Sequence, residues 1–194
     1  MSRVNPLGIQ QSHKFGILTT VGHVNRFKAR YRAARALEGI ELKDFSAATG
    51  PGYLALTRIL YTYSAFELFL CAIGVKQKKL EKLLARYPVD DWIKQLKKAD
   101  ASDIIYNFVL AHGSLDGSHK HHVLQYLASR KPMNYTFLAS VIRHTFAHGH
   151  LTPGSGKASP GQVEVICSVL TQSLFCIMDR EFEERMVALQ RAAT

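Results

Sequence analysis

The sequence predicts an all-α fold, and three observations carry that expectation. Apolar residues recur at three- and four-residue spacing through most of the chain, no stretch sustains the period-two alternation of a half-buried strand, and Gly- and Pro-containing clusters separate the periodic runs. There is no internal repeat and no low-complexity tract. At 194 residues the chain is expected to form one domain, 1–194, large enough to bury a substantial core. Residues 1–20 mix Gly, Pro, Gln and Ser with a few apolar positions and read as an arm or loop.

Composition bounds the partners. Lys and Arg exceed Asp and Glu by 25 to 15, giving a net charge of +10. Such an excess favours polyanions, whether nucleic acid or an acidic membrane surface, over neutral partners. A solvated basic surface or an acidic protein partner remains the plainer alternative. Cys71, Cys167 and Cys176 form no C-x-x-C pair and lie in apolar helical surroundings, so buried thiols in a reducing cytoplasm are expected. The N-terminus lacks the apolar core of a signal peptide. The most apolar run, 59–75, is shorter than the roughly 20 residues a spanning helix needs and contains Glu67, so it reads as a core helix with no membrane role.

Taken in order, a first helix is expected over 25–37, ending near Gly39. It carries Arg26, Lys28, Arg30, Arg32 and Arg35 around a Phe27, Tyr31, Ala34 and Leu37 stripe. The stripe has helical spacing and is assigned to the core, which leaves the arginines for phosphates. After the Thr49-Gly50-Pro51-Gly52 breaker, a long central helix is expected over 53–73. Glu67 is its only acidic residue; it either faces water or orients a cation. A basic amphipathic helix follows over 76–87, with Leu80, Leu83 and Leu84 inside and Lys76, Lys78, Lys79, Lys82 and Arg86 outside. Pro88 ends it, a short helix runs over 89–98, and the Asp100-Ala101-Ser102-Asp103 cluster caps another to about 111. The 113–118 loop precedes His119, His121 and His122, which read as the start of a surface helix and not as a metal cluster. Arg130-Lys131-Pro132 forms a break, a helix opens near Asn134, and a long final helix spans 162–190.

The chemistry concentrates where that penultimate helix ends, at Arg143-His144-Thr145-Phe146-Ala147-His148-Gly149. In a regular helix Arg143 and His148 lie about 140° apart, at roughly 100° per residue. A frayed end before Gly149 can swing the imidazole back toward the guanidinium. A permanent cation beside a base that titrates near neutrality suits work on a phosphate.

These residues resemble the R-x-x-x-x-H signature of the HEPN superfamily, small all-helical domains that include many ribonucleases. His144 fits the polar slot after the arginine, and Gly149 matches the glycine that commonly follows the histidine. The resemblance covers the helix pair from residue 133 onward and is weak over the first half. It implies an HEPN-like helical bundle with extra short helices, acting as a metal-independent endoribonuclease. Arg143 would be the phosphate clamp and His148 the general acid or base, a role worth roughly 10²–10⁴-fold in rate, with His144 orienting the arginine or bonding the phosphate. In this family two motifs meet in one composite site, so a single-motif chain implies a homodimer or a second-copy partner. An antitoxin or nucleotidyltransferase partner is also implied. RNA affinity is assigned to Arg26, Arg30, Arg32, Lys78, Lys79 and Lys82, and Glu67 is the candidate acid orienting Arg143. No cofactor or metal is expected.

Two rival readings stay open. His144, His148 and His150 have spacing that can bind zinc, although no carboxylate lies nearby in sequence and Arg143 would repel the ion. Alternatively, Arg143 pairs with an acid and His148 is a helix-end residue favoured by the macrodipole, which makes the chain a catalytically inactive RNA-binding or protein-interaction module.

Overall fold

A computed structural model describes residues 21–128 and 134–192, leaving aside the side chains of residues 21, 77, 78, 189 and 192. The expected arm over 1–20, the Arg130-Lys131-Pro132 break and the Lys78 side chain lie outside the described residues. The described chain is all-α: α1 (Val21–Ala36), α2 (Gly50–Ala72), α3 (Gln77–Leu84), α4 (Val89–Ala99), α5 (Ile104–His112), α6 (Gly117–Leu127), α7 (Thr136–Ala147) and α8 (Pro160–Ala192). A short 3-10 turn, Ser155–Lys157, precedes α8.

Helix α2 is the hub, packed most extensively on α1 and α8 and also on α7. Leu56, Ile59, Ala65, Phe66, Phe69 and Ala72 are essentially solvent-free, and they meet Phe27 and Tyr31 of α1 and Ile166, Leu170, Leu174 and Ile177 of α8 in one core. The Phe27–Tyr31 stripe is thus core, with Phe27 5.2 Å from Phe69 between ring centres. Helices α2 and α8 are long and apolar enough to cross a membrane by length and composition alone. Here their apolar faces are taken up by one another and by α1, α4 and α7.

Helix α2 begins three residues earlier than its sequence suggests. Pro51 falls in the first turn, where its missing N–H leaves no intrahelical bond unmade, so the Gly-Pro-Gly run starts the helix and does not break it. A Cβ on Gly52 would lie 2.6 Å from Pro153 Cβ, so this glycine admits the loop that follows α7.

Several charged residues act within the fold. Tyr31 Oη donates to Asp179 Oδ1 at 2.5 Å, and Arg35 pairs with the other oxygen of that carboxylate. Burial, with the neighbouring Asp179 carboxylate, pushes the Tyr31 phenol up to about 12. Arg86, expected on the outer face of α3, is exposed just beyond the end of that helix and bridges to α8. Its Nη1 donates to Glu181 Oε1 at 2.7 Å, and Nη2 pairs with Glu184. Glu181 is buried and also accepts from the Tyr87 hydroxyl, which supplies the partners a buried carboxylate requires.

The acid cluster before α5 divides its roles. Asp100, not Asp103, caps the helix: its carboxylate accepts from the N–H groups of Ile104 at 2.7 Å and Ile105 at 3.0 Å. Asp103 adopts a left-handed backbone conformation and pairs with Lys97 at 2.7 Å. Because Asp100 is fully buried, Asp100→Ala strands two donors as well as losing the cap, and should cost about 2 kcal/mol. Asp103→Asn, which tolerates the same left-handed backbone, should cost less than about 1 kcal/mol, since its pair is partly exposed. Urea denaturation of both variants checks the order; an equal loss would remove the cap assignment.

Candidate functional site

Helix α7 carries the Arg143–His148 segment. Its face toward the core is filled by Leu138, Val141, Ile142 and Thr145, and the Thr145 hydroxyl folds back onto the Val141 carbonyl. Burial of that face turns Arg143 and His144 toward the edge of the molecule, where both are half-buried, and leaves His148 exposed.

The helix ends in a tight, fully bonded turn. His148 N–H still donates to the His144 carbonyl, so the helical bonding extends up to His148, which is the C-cap. Gly149 then turns left-handed (φ 75°), its N–H reaching Phe146 O and that of His150 reaching Thr145 O. These two bonds form a Schellman closure that satisfies otherwise orphaned carbonyls. The end is therefore not frayed, and this corrects the expectation that His148 swings back to Arg143. Residues held in helical register keep roughly 140° between them at 100° per residue.

Each side chain accordingly finds its own neighbours. Arg143 Nη2 donates to Glu67 Oε2 of α2 at 2.8 Å, and the guanidinium lies 5.2 Å from the centre of the Tyr63 ring. Its Nε is buried without a hydrogen-bond partner. His144 donates from Nε2 to the Ser114 carbonyl at 3.0 Å; because a carbonyl only accepts, that nitrogen carries the proton. Gly113 makes this contact possible, since a Cβ there would sit 3.0 Å from Thr145 Oγ1 and hold the loop off α7. His148 packs on His144 with ring centres 4.4 Å apart. The structure therefore joins Glu67 to Arg143 and His144 to His148.

The basic residues assigned to RNA lie apart from this segment. Arg26, Arg30 and Arg32 are exposed on α1, with Arg30 5.8 Å from the Tyr61 ring centre, and Lys79 and Lys82 are exposed on α3. Among the described residues, no group of three His, Cys, Asp or Glu side chains is arranged to hold a metal ion. Of the cysteines, Cys167 is buried and Cys176 half-buried, whereas Cys71 is exposed, against the expectation of three buried thiols. It sits near the end of α2, in the wall of an open cleft.

That cleft, of about 440 Å³, lies between α2, α3, the start of α6 and α7. Phe66, Leu70, Val75, Leu80 and Phe137 supply its apolar surface; Tyr63, Glu67, Asp116, His119, Asn134 and Ser140 supply its polar groups. Two of the α6 histidines turn inward, which corrects their assignment as surface residues. His119 packs edge-on against Phe137 at 5.0 Å and parallel to His144 at 6.2 Å. His122 is buried and stacks on Phe137 at 4.2 Å. Sequence periodicity gave no sign of this, because three histidines in four residues cover most of a helix turn and match no single face. The one available signal was Asp116, whose carboxylate accepts from His119 N–H at 2.8 Å as the α6 cap and fixes the helix phase.

Against family models, curated proteins and solved structures, the chain gives no match.

Burial, followed by the neighbouring His121, holds the His122 imidazole below its ordinary value of 6.5. The sign of the linkage follows from that direction. Above 6.5 both folded and unfolded chains are neutral here; as pH falls below it, the unfolded state takes a proton that the folded state resists. Stability is therefore lost on acidification, at most about 1.4 kcal/mol per pH unit from this group. The difference in urea midpoint between pH 7.5 and 5.5 should shrink in His122→Phe, which keeps the stacking on Phe137. An unchanged difference would mean that His122 takes up its proton in the folded state as readily as in water.

Proposed function

We propose that this protein is a metal-independent endoribonuclease of HEPN-like type, with Arg143 as phosphate clamp and His148 as general acid or base. The observation that carries the reading is the Arg143 guanidinium held at the molecular edge by Glu67 and Tyr63, on the same helix end as the stacked His144–His148 imidazoles, of which His148 is exposed. A fixed guanidinium can stabilise the charge that builds on a phosphorane, and an exposed imidazole can move the 2′-hydroxyl or 5′-oxygen proton. The net charge of +10 and the exposed cations on α1 and α3 favour a polyanionic substrate.

Within one chain the clamp and the imidazole diverge, and a homodimer resolves this. If two α7 helices meet about a two-fold axis, Arg143 of one protomer can share a phosphate with His148 of the other. An antitoxin or nucleotidyltransferase partner would then act by blocking that face, and the setting would be cytoplasmic. A second reading is favoured by one observation: Glu67 already engages the guanidinium, as it would in a catalytically silent RNA-binding or protein-interaction module.

Cleavage of RNA by the purified chain should survive EDTA and leave 2′,3′-cyclic phosphate ends, with light scattering reporting a dimer at micromolar concentration. Folded His148→Ala should bind RNA nearly as well as the unaltered chain yet lose cleavage, whereas Arg143→Ala should lose both. Arg30→Ala or Lys79→Ala should weaken binding and lower its salt dependence by roughly one phosphate contact each. Undiminished cleavage by His148→Ala would overturn the catalytic assignment. Binding without cleavage by any of these proteins would favour the silent module.

A further inference from the structure

The cleft contains an arrangement that the nuclease reading does not use. His119 Nδ1 lies 2.9 Å from Asp116 Oδ1, and His119 Nε2 lies 3.0 Å from Ser140 Oγ. All three residues line the 440 Å³ cleft. The carboxylate fixes the tautomer: Nδ1 carries the proton, so in the neutral ring Nε2 is the acceptor and the Ser140 hydroxyl is the donor. A nucleophile within hydrogen-bond reach of a base, and a third group orienting that base, is the geometry of an activated serine, recognised by roles and not by chain order.

The orientation of Ser140 is unusual for its position. Thr62, Ser64 and Thr145, also inside helices, turn their hydroxyls back onto the carbonyl four residues earlier. Ser140 instead points across the cleft to His119, and the Tyr63 phenol lines the same cleft. Burial pushes that phenol up to about 12, so it stays protonated and able to donate near neutral pH. A neutral donor beside the nucleophile is where an oxyanion needs one.

We propose that Asp116, His119 and Ser140 form a serine acyl-transfer site, taking esters whose acyl chain is small and apolar. Ser140 Oγ attacks the ester carbonyl carbon while its proton passes to His119 Nε2. Tyr63 donates to the resulting oxyanion. On collapse the carbon–oxygen bond to the alcohol breaks, and the alcohol leaves with the proton from His119. Water, deprotonated by the same imidazole, then attacks the acyl-serine, releasing the acid and restoring the Ser140 hydroxyl. Phe66, Leu70, Val75, Leu80 and Phe137 form the apolar surface against which the acyl chain lies. Asp116 is well exposed, so its contribution is chiefly to orient His119.

The test uses the full chain with a fluorophosphonate probe, which bonds covalently only to an activated hydroxyl, and p-nitrophenyl butyrate as the ester. The expected result is a single probe adduct on Ser140 by peptide mass spectrometry, with time-dependent loss of butyrate hydrolysis. Ser140→Ala should abolish both, His119→Ala should slow labelling by at least about 100-fold, and Ser64→Ala should label as the unaltered chain does. Circular dichroism accompanies each variant. Absence of an adduct on the unaltered chain would overturn the proposal, as would an adduct on Ser118, or equal labelling rates in folded His119→Ala.

Discussion

The enclosure of α2 by α1, α7 and α8 is the constraint from which the rest of the structure follows. Burying a side chain such as Leu56, Ile59, Phe66 or Phe69 contributes about 1.5–3 kcal/mol each relative to leaving it exposed. That gain fixes the rotation of α2 about its axis. Once the rotation is fixed, Tyr63 and Glu67 can only emerge beside α7, and Phe66 and Leu70 can only form the wall of the cleft. The same packing therefore determines both where Arg143 is held and how wide the neighbouring cleft is.

What sequence could reveal depended on whether a residue answers to its own helix or to another. The Phe27, Tyr31 and Ala34 stripe, the Leu80, Leu83 and Leu84 stripe and the long final helix are properties of local periodicity, and the structure places them accordingly. The start of α2 was obscured because Gly-Pro-Gly more often interrupts a helix, and only the vacancy of N–H partners in the first turn makes Pro51 acceptable. Arg86 is outward, as its phase predicts, but its pairing was not legible, since its partners Glu181 and Glu184 are almost a hundred residues away on α8. Periodicity within a helix cannot show a partner on another.

The segment around Arg143 shows the same division. Its helix, its termination at Gly149 and its cations were legible, and the approach of Glu67 was among the alternatives that residue types allowed. The path of the chain after His148 was not. Fraying and a bonded Schellman closure use the same glycine, and sequence does not say whether the following N–H groups find carbonyls. Here they do, so His148 stays in helical register and meets His144. That one local closure separates two side chains that a short motif lists together.

Charge follows a comparable logic. Asp179, Glu181 and Glu184 on α8 and Asp103 before α5 are each committed to cations on another element or across a loop, where they join parts of the bundle. Glu67 and Asp116 are the carboxylates that line the cleft, and each is engaged by a residue of the site itself, Arg143 and His119. Ion pairing leaves the net charge of +10 unchanged but decides where it lies. The cleft combines apolar walls with the carboxylates of Glu67 and Asp116. The exposed cations of α1 and α3 and the apolar-walled cleft thus present surfaces of different chemistry, so the two regions of this small bundle need not serve one substrate.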